Sequence, residues 1–432
     1  MSTALVILSS LLSAAHFARF GVFGAAAACL SVALLPFARR PWMLFVLRAA
    51  LFGFFFAACR TAVELVRLRV EIGAPWIRLA AILIVVCAVH ATAFFVHFRQ
   101  PVVARYIEEA NRGAPSAAAF LLSALLLAIV QLEAPPGMLL LERFIPGGGW
   151  LEAFALALYA GFVVEKMTDA AAQPTWRRRI WLVFTIVFFV QLGLGLIGFD
   201  RFLMTGALHP PVPAVIAAGP LYRGGGFFML ILFATTVALV GPAWCSHLCY
   251  FGALDNWMAD GKRSPRALPK WTPYARVSIV AVVMLTALLL RLFGVAAFGA
   301  ALTALGFGMS GILLSVFISR RLGVMTHCAV FCPIGLFSNL FGKINPFRVR
   351  IDSGCTDCGR CTVACRYGAL NTENIAARRP GFTCTLCGDC IGKCRGDMIE
   401  MRFAGLKGPG VRSAFLVLVT ALHVLFLGTA RI

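Results

Sequence analysis

Charge is what this sequence has least of. Only 13% of its 432 residues are charged, and just 18 are acidic, while 60% are hydrophobic. A soluble domain is nearer a quarter charged and half apolar. The shortage excludes a soluble globular chain, and it excludes disorder and a disulfide-rich secreted scaffold with it. The N-terminal MSTALVILSS carries no basic residue, so a cleaved signal peptide is not expected and the first apolar run should be retained. Most of the chain must lie in lipid.

The net charge of +21 raises nucleic acid as a partner, but the basic residues cluster in short segments between apolar runs. That is the pattern of loops held on the cytoplasmic side of a membrane. Apolar runs lie near 3–17, 20–37, 42–59, 76–98, 116–132, 150–164, 180–198, 226–241, 274–292, 295–318 and 411–428. A crossing takes about 20 apolar residues, so the first two runs are either a pair of helices turning at His16–Arg19 or one tilted helix. Ten or eleven transmembrane helices are predicted. Loops on one side carry 28 Lys/Arg against 10 on the other, and 14 against 10 without the long cysteine-bearing loop. The richer side is assigned to the cytoplasm of a bacterial inner membrane. The stretch 60–78 puts four arginines on the outer side, where Arg60–Glu64 and Arg67–Glu71 are spaced to pair along a protruding helix.

Fifteen cysteines are the other unusual number. Cys29, Cys59 and Cys87 are scattered in apolar runs and read as small buried hydrophobes. The remaining twelve fall between Cys245 and Cys394 in four regular groups, which is a metal pattern and not a disulfide framework. Residues 343–410 change character, with frequent charges and short apolar runs, and read as a soluble insert before the last helix. FRVRID (347–352) and MIEMRF (398–403) look like its strands. Four regions follow: 1–180, a transmembrane module without a usable motif; 181–342, a transmembrane core; 343–410, the insert; and 411–432, a final helix. The fold class is an all-α polytopic membrane protein with a small α+β, bacterial-ferredoxin-like insert.

The insert reads Cys355-x2-Cys358-x2-Cys361-x3-Cys365 and Cys384-x2-Cys387-x2-Cys390-x3-Cys394. This is the bacterial ferredoxin run, in which three thiolates wrap one [4Fe–4S] cluster and the fourth reaches the other. It implies Cys355, Cys358, Cys361 and Cys394 on one cluster, and Cys384, Cys387, Cys390 and Cys365 on the second. Gly359 and Gly388 let the backbone turn tightly. Structural zinc would use paired cysteines, often with histidine. Arg366 and Arg395 stand where a proline usually follows the fourth cysteine, and a guanidinium there favours the reduced, more negative cluster. The insert's net charge of +5 would be nearly cancelled by two oxidised clusters with their thiolates.

GPAWCSHLCYFGALDN (241–256) and VMTHCAVFCPIGLFSN (324–339) repeat at an offset of 83, with Cys245/Cys328, Cys249/Cys332, Gly252/Gly335 and Asn256/Asn339 in register. Two crossings separate the copies, so both meet the same surface, a parallel repeat. If they pack together, four sulfurs converge beside the insert. A third iron–sulfur or other metal site, a redox-active thiol pair, a transient copper site and inert buried thiols all remain open. His247 and His327 do not correspond under the offset, and a histidine beside such a site is as readily a neighbour of a ligand as a ligand itself.

Paired CxxxC(P) motifs followed by a two-cluster insert resemble the NapH/NosR-type membrane polyferredoxins over about 226–405. The resemblance implies electron transfer between the quinone/quinol pool and a partner oxidoreductase of a respiratory chain, as a quinol dehydrogenase electron-transfer subunit with the ferredoxin in the cytoplasm. Only Cys332 keeps the following proline, Pro333. Thr205–Leu208 half-matches the flavin-attaching segment of one branch. The alternatives are a maturation factor that reduces a metal or thiol through Cys245, Cys249, Cys328 and Cys332, and a redox sensor. His16, His90, His97 and His423 sit in or near membrane runs, but no ligand pair for haem is fixed. Glu133, Glu152 and Glu165 flank membrane runs as conceivable acceptors of quinol protons. No group that makes or breaks bonds in an organic substrate is evident.

Overall fold

A computed structural model describes residues 2–38, 40–103, 106, 110–202, 211–262 and 264–429. The flavin-like segment at 205–208 lies outside the described residues. The chain divides into two compact units, Met1–Glu165 and Lys166–Ile432. Among the described residues ten helices are long and apolar enough to cross a membrane. The protein is an all-α polytopic membrane protein with one small two-stranded sheet.

The first unit holds α1 (Ser2–Arg19), α2 (Phe23–Val32), α3 (Met43–Glu71), α4 (Ile77–Val96), α5 (Gln100–Val103), α6 (Ala110–Glu133) and most of α7 (Gly148–Thr168). The first two apolar runs are thus separate helices. Trp42, Leu44, Leu47 and Leu51 of the α3 stripe pack with Ala93 and Val96 of α4 and Phe120 of α6. α3 runs 29 residues, longer than a bilayer needs, and its C-terminal half carries the Arg60–Glu64 pair at 2.7 Å. Outward faces stay apolar: Phe56 is 63% and Ile84 66% exposed, which suits lipid and not water.

The second unit holds α8 (Gln173–Leu196), α9 (Val215–Arg223), α10 (Phe228–Val240), α11 (Tyr250–Asp260), α12 (Thr272–Leu292), α13 (Ala297–Leu314), α14 (Arg320–Leu322), α15 (Pro333–Phe341), β1 (Phe347–Ile351), α16 (Arg360–Ala364), α17 (Thr372–Ala376), β2 (Ile399–Phe403) and α18 (Pro409–Gly428). β1 and β2 are antiparallel, with Val349 opposite Met401 and Ile351 opposite Ile399. Burial alternates along both, as period-2 strands require. Their inner faces rest on Phe415 and Val419 of α18 and on Leu386 and Cys390 of the cysteine loops. The sheet therefore seats the insert on the start of the last membrane helix.

Candidate iron–sulfur centres

The two cysteine runs of the insert fold into the same loop. Asp357 (φ 54°) and Gly359 (φ 71°) flank Cys358, and Leu386 (φ 56°) and Gly388 (φ 80°) flank Cys387, all left-handed. Two left-handed residues around one cysteine turn successive N–H groups toward a common point, a nest for an anion. Three residues past each fourth cysteine the backbone is left-handed again, at Gly368 (φ 62°) and Asp397 (φ 53°). The next amide then turns back: Ala369 N donates to Cys365 Sγ at 3.2 Å and Met398 N to Cys394 Sγ at 3.3 Å.

Electrostatics sorts the eight thiols into two sets. Burial pushes the Cys361 thiol up, and the nearby charges of Cys355, Cys394 and Cys358 add to it. Burial likewise raises Cys390, followed by Cys387, Cys384 and Cys365. Cys365, Cys384, Cys387 and Cys390 also line one narrow cavity. Burial pushes Cys365, Cys384 and Cys387 each up to about 12, so thiolates here need bound cations to exist at neutral pH. Cys358, at the surface, is lowered, first by the N–H of Arg360. Among the described residues no group of three or more His, Cys, Asp or Glu closes tightly enough for a single metal ion. The donor set fits iron–sulfur clusters.

The repeated segments are superposable in their local chemistry. In each, a wide π turn (Trp244–Leu248, His327–Phe331) ends on an extended cysteine that starts a helix. Cys249 N donates to Trp244 O at 3.0 Å, and Cys332 N to His327 O at 2.8 Å. Such π turns are frequent at functional sites. The Cys249 sulfur accepts from the amides of Gly252 and Phe251, and Cys332 from those of Gly335 and Ile334, so helix starts point N–H groups at both sulfurs. The shared glycine is a steric requirement. A Cβ on Gly252 would lie 2.7 Å from Cys245 O and 2.3 Å from the Trp181 ring, and one on Gly335 would lie 2.3 Å from Cys328 O. Gly335→Ala should therefore open the second turn at a cost of about 3 kcal/mol or more, read as lower thermal stability and lost iron. Gly193→Ala, where a Cβ meets nothing within 4 Å, should leave both unchanged.

All four sulfurs of the repeat are buried and lie within electrostatic reach of one another. Around them polar atoms lack partners among the described residues: Trp244 Nε1, Arg276 Nε and Nη2, His247 Nε2 and both His327 nitrogens. Trp244 Nε1 and the Arg276 guanidinium are buried donors beside these cysteines that require an explanation, and the sulfides and thiolates of a cluster would accept from them. His247 Nδ1 meets Ser246 Oγ at 3.0 Å. His327 stacks on Phe251 at 5.1 Å.

A buried junction joins this quartet to the second insert loop. Arg177, 1% exposed, donates to both carboxylate oxygens of Asp389 at 2.9 and 2.6 Å and to Ser246 O at 2.9 Å. Ser246 Oγ donates to Thr385 O at 3.1 Å. Tyr367 OH donates to Cys245 O at 3.0 Å and lies within electrostatic reach of Cys328 and Cys387. Trp181 Nε1 donates to Cys249 O at 2.6 Å, and Asp255 accepts from Cys328 N at 3.0 Å. Cys328 and Cys365 pack in one cluster with Tyr367. None of these supporting residues was singled out in the sequence. Arg366 is not aimed at a cluster alone: it donates to Lys262 O at 2.7 Å and to Asp260 at 3.2 Å, which offsets its charge.

Several of the other candidates have partners in the fold. Glu165 accepts from Arg40 at 2.6 Å and from Trp42 at 2.7 Å, and Glu152 from Leu141 N at 2.7 Å. His97 Nδ1 meets Ala93 O at 2.7 Å, and His16 meets Thr61 at 3.5 Å. Cys59 and Cys87 are half-buried, with sulfurs 3.7 Å apart on adjacent helices.

Residues 224–267 and 301–351 match the family model of a 4Fe-4S binding domain. The matched family is an iron–sulfur one. The match holds Cys245, Cys249, Cys328 and Cys332 and ends at residue 351, before Cys355 and the other seven cysteines of the insert, so it falls mainly on the repeat. A comparison with curated proteins finds no match, and neither does one with solved structures.

Proposed function

We propose that this protein carries electrons between the quinone/quinol pool and a partner oxidoreductase, in the manner of the NapH/NosR-type polyferredoxins. Three sets of thiolates would hold iron–sulfur clusters: Cys245, Cys249, Cys328 and Cys332; Cys365, Cys384, Cys387 and Cys390; and Cys355, Cys358, Cys361 and Cys394. The observation that carries the reading is the junction of the first two sets through Tyr367 and Arg177. Bound clusters supply one-electron storage without bond-making chemistry. The chain's own part is to hold thiolates deprotonated with helix-start and nest amides, to exclude water, and to fix the spacing between sites. The quartet lies at or near the ends of apolar helices, which would suit a lipid-soluble donor. The reading puts the insert in the cytoplasm of a bacterial inner membrane, where cluster assembly and reducing conditions favour it.

Full-length protein in anaerobic liposomes should become reduced when a quinol is added, seen as bleaching of its visible absorption. A quinone-site inhibitor should prevent that. Protein that carries clusters and stays oxidised with quinol, yet is reduced by dithionite, would overturn the quinol assignment. Copper retained by the quartet would instead support the maturation-factor reading.

A further inference from the structure

A surface cleft of about 500 Å³ opens beside the second cysteine loop. Its walls bring together Lys343, Arg348, Arg350 and Arg379, and among the described residues no carboxylate lines it. Glu400, opposite Arg350 in the ladder, is turned to Arg402 at 2.7 Å. Arg348 spends its guanidinium on the carbonyls of the 342–347 turn, such as Lys343 O at 2.5 Å, and so builds the floor. Lys343 Nζ sits 4.8 Å above the Phe382 ring. Asn339, 7% exposed, also lines the cleft, and its Oδ1 finds no partner among the described residues. The site therefore offers several cations and one buried acceptor that wants a donor.

The cleft lies beside the N-terminal end of the α12 span. Phe382 also faces Arg276, 5.2 Å away, in the first turn of the α12 span. Trp271 and Tyr274, at the same end of that helix, are 61% and 78% exposed, as aromatic residues at headgroup depth are. Beside Lys343, Leu340, Phe341 and Ile344 project outward, Ile344 at 81% exposure. Cations over exposed apolar side chains at that depth suit a headgroup with its acyl chains.

We propose that this cleft binds an anionic phospholipid of the phosphatidylglycerol type: Lys343, Arg350 and Arg379 take the phosphate, a glycerol hydroxyl donates to Asn339 Oδ1, and the chains lie over Leu340, Phe341 and Ile344. The lipid would tie the insert to the bilayer next to Cys384, which shares the cleft wall. This stands whether or not quinol is the electron donor.

The test uses the full chain in phosphatidylcholine nanodiscs doped with phosphatidylglycerol, with lipid retained after detergent exchange counted by native mass spectrometry. Wild-type protein should keep phosphatidylglycerol over phosphatidylcholine. Lys343→Gln with Arg379→Gln should weaken that retention on the order of 30-fold. Arg320→Gln with Arg321→Gln removes two exposed charges at another helix end and should leave it unchanged. Three outcomes would overturn the proposal: equal retention of the two lipids, equal loss in both variants, or displacement by inorganic phosphate, which marks a free-phosphate site.

Discussion

Asp389→Asn should raise the midpoint potential of the cluster held by Cys365, Cys384, Cys387 and Cys390, and Arg177→Met should lower it. The two side chains form an ion pair at 2.6 Å that is almost wholly buried. Asp389 lies between Cys387 and Cys390, and its charge acts on both thiols. Removing the carboxylate leaves a lone guanidinium, which favours the more negative reduced cluster. Removing the guanidinium leaves a lone carboxylate, which disfavours it. A unit charge about 8 Å from a redox centre, at an effective dielectric near 20, is worth about 2 kcal/mol, or roughly 90 mV for one electron. Each single variant should also lose about 3–5 kcal/mol of stability, because it leaves a buried charge unpaired. Arg177→Met combined with Asp389→Asn should recover most of both effects. Redox titration followed by electron paramagnetic resonance reads the potentials. Shifts of the same sign in the two single variants would mean that both merely loosen the loop.

The fold was legible where one-dimensional signals are strong. Apolar runs long enough for a bilayer became helices, and the alternation in FRVRI and IEMRF became the paired strands. The first two runs needed the structure, since their length allowed one helix or two. The insert's loop geometry was partly legible: Gly359 and Gly388 announced left-handed turns and Asp357 is a residue type that tolerates one, while Leu386 did not, because nothing in leucine signals a positive φ. The junction was illegible for a different reason. Arg177 and Asp389 are 212 positions apart, and in the sequence Arg177 belongs to an Arg-Arg-Arg run that reads as a basic loop. Only packing shows that the first arginine of the three is buried while Arg178 pairs with Asp260 at the surface. Glu152 and Glu165 illustrate the converse: residues that look chemically available in the sequence are occupied in the fold.

Cys328→Ser should remove one cluster's worth of iron from the full chain and leave the insert's spectra unchanged. Total iron should fall by about four atoms per protein, from about twelve to about eight. The two copies of the repeat make the same π turn, the same extended cysteine and the same helix-start amides, so their four sulfurs form equivalent pairs within electrostatic reach of one another. Oxygen in place of one sulfur removes a thiolate from a site whose remaining three are buried and mutually repelling. Those three thiols would then lose the cations that keep them deprotonated, and all three should return to the neutral form. Alkylation reads this directly. In the wild-type protein the quartet should resist a thiol reagent under native conditions. After the substitution Cys245, Cys249 and Cys332 should label on partial unfolding, at a denaturant concentration that leaves Cys384 and Cys390 protected. If wild-type iron already stands at about eight, and the quartet labels as fast as Cys59, the four sulfurs hold no cluster. The quartet would then be a thiol or copper site, and the route from the membrane to the insert would have to start elsewhere.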